Sequence, residues 1–190
     1  MSWKEELESW ARSNNLELPK DKYPLILCEG PDAAGKSFVI DILMEIINHC
    51  FLLHTSAPTK GNSKNYYKNL LNKSIELFEV LNQPLIADRF HIGEAVYGSI
   101  FRNYNLKYSY MEDELLRLGA KQIFITAKEE VLVERLQKRG DWYIKTDDIN
   151  PILTRYKEEL AKTKIPTYTL DTTNNLTPKD IEKLLKFIYE

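Results

Sequence analysis

The residues best suited to chemistry stand in one short segment. Residues 30–37 read G-P-D-A-A-G-K-S and fit the spacing G-x-x-x-x-G-K-[ST]. Such a loop turns its backbone N–H groups inward, and the helix that follows directs its positive end toward the same point. In this arrangement Lys36 reaches the β- and γ-phosphate oxygens, and Ser37 offers a hydroxyl ligand to Mg²⁺. The spacing therefore predicts a site for ATP and Mg²⁺. The residues expected to contact the nucleotide are Gly30, Asp32, Ala33, Ala34, Gly35, Lys36, Ser37 and Phe38.

A second charged pair, Asp88 and Arg89, directly follows an apolar run. An aspartate at a strand end can hold Mg²⁺ opposite Ser37, or it can accept the proton of an attacking hydroxyl. The arginine can neutralise phosphate charge in a fork geometry that lysine lacks. The pair therefore predicts a catalytic role beside the phosphate loop, although a surface ion pair would also fit this pattern.

Short apolar runs alternate with helical stripes along the chain, and these elements must position the two motifs. The predicted strands are 24–29, 51–54, 84–87, 122–126 and 166–170, and the predicted helices cover 2–13, 38–47, 64–82, 91–103, 111–118, 128–139, 148–162 and a last helix that opens at 177. The alternation predicts a three-layer α/β/α fold with a five-stranded parallel sheet. Ligands of such sheets bind outside the carboxyl ends of the strands. Glu29, Asp88 and the turn 56–58 should therefore meet in one crevice.

Two arginines in the region 135–150 could close over that crevice. Arg135 and Arg139 are four residues apart and so share one face of a helix. A positive face over a phosphate loop can clamp the γ-phosphate and exclude water, which limits wasteful hydrolysis. An exposed helix is the alternative interpretation of the same spacing. We expect both arginines to be catalytic and the region to act as a lid.

Several segments resemble the thymidylate kinase family over roughly residues 24–172. Residues 29–37 resemble its E-G-x-D-G-A-G-K-S-T loop, and 88–90 resemble its D-R-Y motif. Residues 95–98 with Arg102 are similar to its A-Y-Q-G…R stretch, and 133–141 to its arginine-rich lid. The resemblance implies a P-loop kinase fold, ATP with Mg²⁺, a nucleotide acceptor and a role in nucleotide biosynthesis. It also implies that Asp32 lies near the acceptor sugar, that Asp88 and Arg89 serve the metal and the phosphates, and that lid arginines stabilise the transferring group.

The acceptor side departs from that family's pattern. Phe90 replaces its tyrosine, residues 56–58 read S-A-P rather than R-E-P, and residues 75–81 lack the arginine expected to grip an acceptor phosphate. The residues expected to contact the acceptor are Asp32, Arg89, Phe90, Glu94, Tyr97 and Arg102. A nucleoside monophosphate is the expected acceptor. A deoxynucleoside kinase, whose loop can read E-G-N-I-A-A-G-K-S, is the close alternative.

Three other classes share a phosphate loop. A regulatory GTPase needs separate D-x-x-G and N-K-x-D motifs, but D-x-x-G occurs only at 32–35, inside the loop, and N-K-x-D is missing from the sequence. A kinase acting on a small alcohol and a binding module without catalysis stay open. Screening phosphate transfer across nucleosides, nucleotides and sugar alcohols would identify a kinase that acts on a small alcohol. A lack of any turnover would indicate a binding module without catalysis.

The composition bounds these expectations. The 190 residues are 43% hydrophobic and 28% charged, which is typical of one globular domain, here 1–190 with an N-terminal helical extension at 1–20. The net charge of −2 gives no sign of a broad nucleic-acid surface. Cys28 and Cys50 lie in apolar runs and predict buried free thiols. The polar N-terminus and the lack of a 20-residue apolar run predict a cytoplasmic protein without a membrane span, and related kinases allow a homodimer.

Overall fold

The computed structural model describes residues 2–13, 23–55, 63–81, 83–140 and 144–190. The S-A-P turn at 56–58 and part of the predicted lid lie outside these residues.

Within these described ranges, five parallel strands form one sheet in the order β2-β3-β1-β4-β5. They are β1 Leu25–Glu29, β2 Phe51–His54, β3 Leu85–Asp88, β4 Lys121–Thr126 and β5 Thr167–Asp171. Every residue of β1 and β3 is buried, because helices cover both faces of the sheet at these strands. By contrast, β2 is an edge strand, and most of its side chains are exposed. The predicted fold class is confirmed.

Eight α-helices accompany the strands in the described part of the chain. They are α1 Trp3–Ser13, α2 Lys36–Ile46, α3 Ser63–Val80, α4 His91–Phe101, α5 Ser109–Arg117, α6 Glu129–Arg139, α7 Ile149–Leu160 and α8 Pro178–Tyr189, with a 3-10 turn at Thr146–Asp148. Local chemistry sets several helix starts. The last helix opens with a capping box between Thr177 and Asp180 and a proline in its first turn. Ser2 and Glu5 exchange hydrogen bonds in the same way before α1.

The N-terminal helix packs on the body of the domain. Leu7 and Ala11 are buried, and α1 contacts α2 and α8. Cys28 is a buried free thiol, as expected, but Cys50 is only half-buried, because it directly precedes the edge strand β2. Among the residues that the structure describes, no helix is both long enough and apolar enough to cross a bilayer.

Candidate active site

The predicted phosphate loop connects β1 to α2 and adopts a conformation that needs small residues. Gly30, Ala33 and Gly35 have φ angles of 146°, 63° and 85°. A side chain at Gly30 would place its Cβ 1.9 Å from the backbone oxygen of Ile125 on β4. This glycine therefore lets the loop pass directly over the neighbouring strand.

The Lys36 side chain folds back over this loop. Its amine donates to the backbone oxygens of Gly30 and Pro31, both at 2.8 Å. Burial, followed by the positive charge of Arg89, lowers the Lys36 pKa to about 8, and the charges of Asp32, Asp88 and Glu29 oppose that shift. The lysine is thus a desolvated cation held against the backbone of the loop.

Asp88, at the end of β3, and Lys36 line one cavity at the carboxyl edge of the sheet. Its Oδ2 lies 2.7 Å from Nδ1 of His54, while its Oδ1 is buried and has no hydrogen-bond partner among the described residues. The two residues meet because β2 and β3 are paired with His54 opposite Asp88. His54 received no site role from the sequence, and the structure places it at the end of β2, in contact with Asp88.

Arg89 occupies a strained backbone position. Its φ of 66° is rare for a residue with a side chain and costs on the order of 1 kcal/mol. Hydrogen bonds stabilise the turn on both sides of Arg89. Its backbone N–H donates to the backbone oxygen of Cys28 at 3.0 Å, and the Thr55 hydroxyl donates to the backbone oxygen of Arg89 at 2.9 Å. The turn directs the guanidinium onto the Asp32 carboxylate, 2.7 Å away.

Asp32 connects the loop to α4. Its Oδ2 accepts the Tyr97 hydroxyl at 2.7 Å, and its Oδ1 lies 2.7 Å from Arg89 and 3.9 Å from Arg139. Burial raises the pKa of Asp32, but the charges of Arg89 and Lys36 outweigh burial and hold the pKa below its usual value. This carboxylate is therefore an anion among cations.

The two arginines of α6 also reach the cavity, in agreement with their four-residue spacing. Arg135 donates to the hydroxyl of Thr172 at 3.0 Å and to its backbone oxygen at 2.5 Å, and it lies 3.5 Å from the Ala33 oxygen of the loop. Arg135 thus bridges the end of β5 and the phosphate loop.

A second polar cluster lies on α4, away from the residues that line this cavity. Arg102 and Glu94 form an ion pair of 2.7 Å, and the guanidinium lies 5.2 Å from the Tyr67 ring and 6.0 Å from the Tyr104 ring. Burial raises the Glu94 pKa to about 7 in spite of Arg102. The Nε of Arg102 and the hydroxyl of Tyr104 are buried without a hydrogen-bond partner in the described part of the chain.

Phe90 is placed in the core rather than in the cavity. Its side chain is 1% exposed, and its ring centroid lies 5.6 Å from that of Phe78. Its predicted contact with a substrate is untested, but the side chain does not line the cavity.

Two buried residues hold the loop and the turn in position. Glu29 was expected in the crevice, but it does not line the cavity. Glu29 is fully buried and accepts the backbone N–H groups of Phe90, Ile92 and Gly93 at 3.0–3.1 Å. It thereby caps α4 and fixes the turn that carries Asp88 and Arg89. The Tyr156 hydroxyl, from α7, donates to the Gly30 oxygen at 3.0 Å. The sequence offered one signal for the role of Glu29, which is an acidic residue at the end of an apolar strand, directly before the loop. No neighbouring residue indicated that Tyr156 would contact the loop.

The phosphate loop, the Asp88–Arg89 turn and α6 border a cavity of about 590 Å³, a volume that suits a nucleotide. Its walls are Trp3, Lys4, Asp32, Ala33, Ala34, Gly35, Lys36, Ser37, Phe38, His54, Asp88, Arg89, Arg135, Arg139, Thr172, Asn175 and Leu176. The cavity brings together residues 32–38 of the loop and first turn of α2, Asp88 with Arg89, and the two arginines of α6, whereas Gly30 does not line it. Glu94, Tyr97 and Arg102 do not line the cavity either, and Tyr97 contacts Asp32.

The comparison with known proteins agrees with this geometry. The SPbeta prophage-derived protein YorR of Bacillus subtilis strain 168 is 31% identical over 172 residues, which cover 87% of this chain and 99% of YorR. The chain belongs to the YorR family. No family model matches the sequence.

A crystal structure of Bacillus subtilis YorR in complex with phosphorylated GDP superposes with a TM-score of 0.67 at 29% identity, covering 86% of this chain and 94% of that one. Deoxyadenosine kinase from M. mycoides, with bound dATP, shares the fold at a TM-score of 0.55 and 18% identity, over 85% of this chain and 97% of that one. A putative polyphosphate kinase 2 from Pseudomonas aeruginosa PA01 superposes at 0.62 and 15% identity, over 98% of this chain and 45% of that one. The YorR family thus has the P-loop kinase fold. The two neighbours that are named as kinases are 18% and 15% identical, and their likeness shows the shared fold.

Proposed function

We propose that this chain transfers the γ-phosphoryl group of ATP to a (deoxy)nucleoside monophosphate. One observation carries the proposal: Lys36 of the loop, the Asp88 carboxylate and Arg89 face one nucleotide-sized cavity at the carboxyl edge of the sheet. In-line attack of an acceptor oxygen forms its bond to the γ-phosphorus while the bond to the bridging oxygen breaks, and ADP leaves. Lys36, Arg89, Arg135 and Arg139 offset the charge that develops on the transferring oxygens.

The residues present suit a Mg²⁺ ion. The Asp88 Oδ1 is buried without a partner among the described residues, and the exposed Ser37 also lines the cavity and bears a hydroxyl. Both groups are hard oxygen ligands of the kind that Mg²⁺ prefers. When bound, Mg²⁺ supplies neutralisation of the triphosphate charge. In this proposal Ser37 and Asp88 hold the ion, and His54 keeps the carboxylate oriented.

The acceptor is proposed to lie on the α4 side of Asp32. Asp32, Arg89 and Tyr97 form the boundary between donor and acceptor, and Arg89 is the cation shared by both. The Glu94–Arg102 pair behind them offers a donor and an acceptor for hydrogen bonds to a base. Arg102 in particular has an unpartnered Nε among the described residues.

A nucleoside acceptor is the second candidate, and a specific observation favours it. The Arg102 guanidinium of the polar cluster on α4 is already engaged by Glu94 at 2.7 Å, so it is not a free cation for an acceptor phosphate. Residues 75–81, at the end of α3, contain no arginine. For a hydroxyl acceptor, the proton would pass to Asp88 or Asp32.

A coupled ADP-release assay over all nucleosides, their monophosphates and a set of sugar alcohols tests the proposal. Guanine compounds belong in the panel, as donors and as acceptors, because YorR binds phosphorylated GDP. We expect turnover with at least one monophosphate. Turnover with nucleosides alone would select the second candidate, whereas sugar alcohols as the best acceptors would overturn both.

The wider organisation stays part of the proposal. We propose one domain over 1–190, a lid at about 135–150 and a cytoplasmic enzyme of nucleotide biosynthesis that can form homodimers. ADP-release rates measured across a protein dilution series would reveal whether pairing matters for turnover.

A further inference from the structure

The N-terminal helix contributes to the wall of the nucleotide-sized cavity. Trp3 and Lys4, in the first turn of α1, line it together with the phosphate loop. The motifs that indicated the site begin at residue 29, so this contribution comes from outside them.

The lining of the cavity is chemically mixed. Lys36, Arg89, Arg135 and Arg139 supply positive charge, and this charge suits phosphates. Trp3, Phe38 and Leu176 supply apolar surface, which neither neutralises a phosphate nor donates hydrogen bonds to it. A nucleoside triphosphate has a matching division, because its base presents a flat apolar face and its other end is anionic.

Two neighbouring side chains contact the Trp3 ring. Its centroid lies 5.3 Å from that of Phe38 in an edge-to-face arrangement, and the Lys4 amine lies 5.8 Å from the Trp3 ring. The helix that carries the ring is itself anchored by Leu7 and Ala11, each 2% exposed. Trp3 is only half-buried, so part of its surface stays available to a ligand in the cavity.

We infer that Trp3 is a binding residue for the donor nucleotide and that its ring packs against the donor's base. The inference rests on the proposed function, because it takes the cavity to be the donor site. Stacking of a base on an aromatic ring is sequence-tolerant and, by the usual cost of removing it, should change the dissociation constant about 5- to 50-fold. Helix α1 is then a part of the binding site and not only a packing element.

Binding of ATP and ADP to purified Trp3→Ala, Trp3→Phe and Trp10→Ala proteins tests this inference by calorimetry. Trp10 lies on the same helix and packs on the core, but it does not line the cavity. We expect Trp3→Ala to raise the dissociation constants of ATP and ADP about 5- to 50-fold, and by similar factors, because both carry the same base. Trp3→Phe should stay within about threefold of wild type, since a ring is kept.

Tryptophan fluorescence gives a readout that does not depend on a damaging substitution. The chain has three tryptophans, so Trp10→Phe/Trp142→Phe leaves Trp3 as the sole emitter. Its emission should change saturably with ADP, at the dissociation constant that calorimetry reports. In Trp3→Phe/Trp142→Phe, the remaining Trp10 should respond weakly or not at all.

The outcomes separate the two proposals. If the wild type binds neither ATP nor another nucleoside triphosphate, the proposed function fails, and this inference fails with it. If the wild type binds ATP and Trp3→Ala binds it equally well, the inference alone is overturned. An equal loss in Trp10→Ala and Trp3→Ala would also overturn it, because the effect would then come from the packing of the helix.

Discussion

The two carboxylate oxygens of Asp88 have different environments. Oδ2 is fixed by His54 at 2.7 Å, and Oδ1 has no partner among the described residues and belongs to a residue that lines the cavity. A carboxylate held by a histidine on one oxygen presents the other in one orientation. Such supporting contacts around metal ligands commonly change metal affinity 10- to 100-fold.

We therefore predict that His54→Ala weakens metal activation. The Mg²⁺ concentration for half-maximal turnover should rise about tenfold, with a smaller effect on the maximal rate at saturating metal. His54→Asn can still donate to Asp88 and should recover most of the loss. Turnover measured over a Mg²⁺ titration checks this, and identical titrations for wild type and His54→Ala would contradict it.

Glu94 should make stability depend on pH. Its pKa is about 7 in the folded chain against 4.5 for the free side chain, chiefly because of burial. The folded state therefore keeps a proton that the unfolded state has lost, and the free energy of unfolding falls as the pH rises from about 4.5 to 7. The loss should be on the order of 1–3 kcal/mol.

Chemical denaturation of wild type and Glu94→Gln between pH 4.5 and 8 measures this effect. The stability of the variant relative to wild type should increase with pH over that window and level off above it. Glu134→Gln, which alters an exposed glutamate on α6, serves as the control. Parallel pH profiles for wild type and Glu94→Gln would show that Glu94 titrates normally.

At the scale of elements, Glu29 couples the first strand to α4. Its carboxylate accepts three backbone N–H groups at the start of that helix. Glu29→Gln replaces one acceptor oxygen by an N–H₂ group that would face those donors. We predict a loss of about 2–4 kcal/mol in the free energy of unfolding, measured by denaturant titration. Glu114→Gln, on the exposed side of α5, should change stability by less than about 0.5 kcal/mol, and an equal effect of both would refute this role.

The elements themselves could be predicted from the sequence to within a few residues. Strands buried on both faces read as continuous apolar runs, as in Leu25–Glu29 and Leu85–Asp88, and helices show stripes at their own period. The His54–Asp88 contact could not be predicted, because it depends on β2 being the neighbour of β3 and on their register. The Tyr156 contact with Gly30 joins residues 126 positions apart and has no local signal.

At the scale of the whole molecule, the parallel sheet determines where the candidate site residues meet. With β1 central and β3 beside it, the phosphate loop and the Asp88–Arg89 turn leave the same edge of the sheet. The sequence could predict this meeting because all strands run in one direction. It could not predict that α1 would reach the same cavity, since the packing of a terminal helix depends on surfaces of α2 and α8 that form only in the fold.

The central claim is that the protein transfers the γ-phosphoryl group of ATP to a nucleotide or nucleoside in the cavity lined by the phosphate loop and Asp88. Incubation with γ-labelled ATP, Mg²⁺ and each acceptor, followed by separation of products, tests it directly. We predict label on the acceptor with wild type and with Lys138→Ala, which removes an exposed lysine outside the cavity. Lys36→Ala should lower transfer at least about 100-fold while leaving the fold intact. Label recovered only as free phosphate, or equal transfer by Lys36→Ala, would contradict the account.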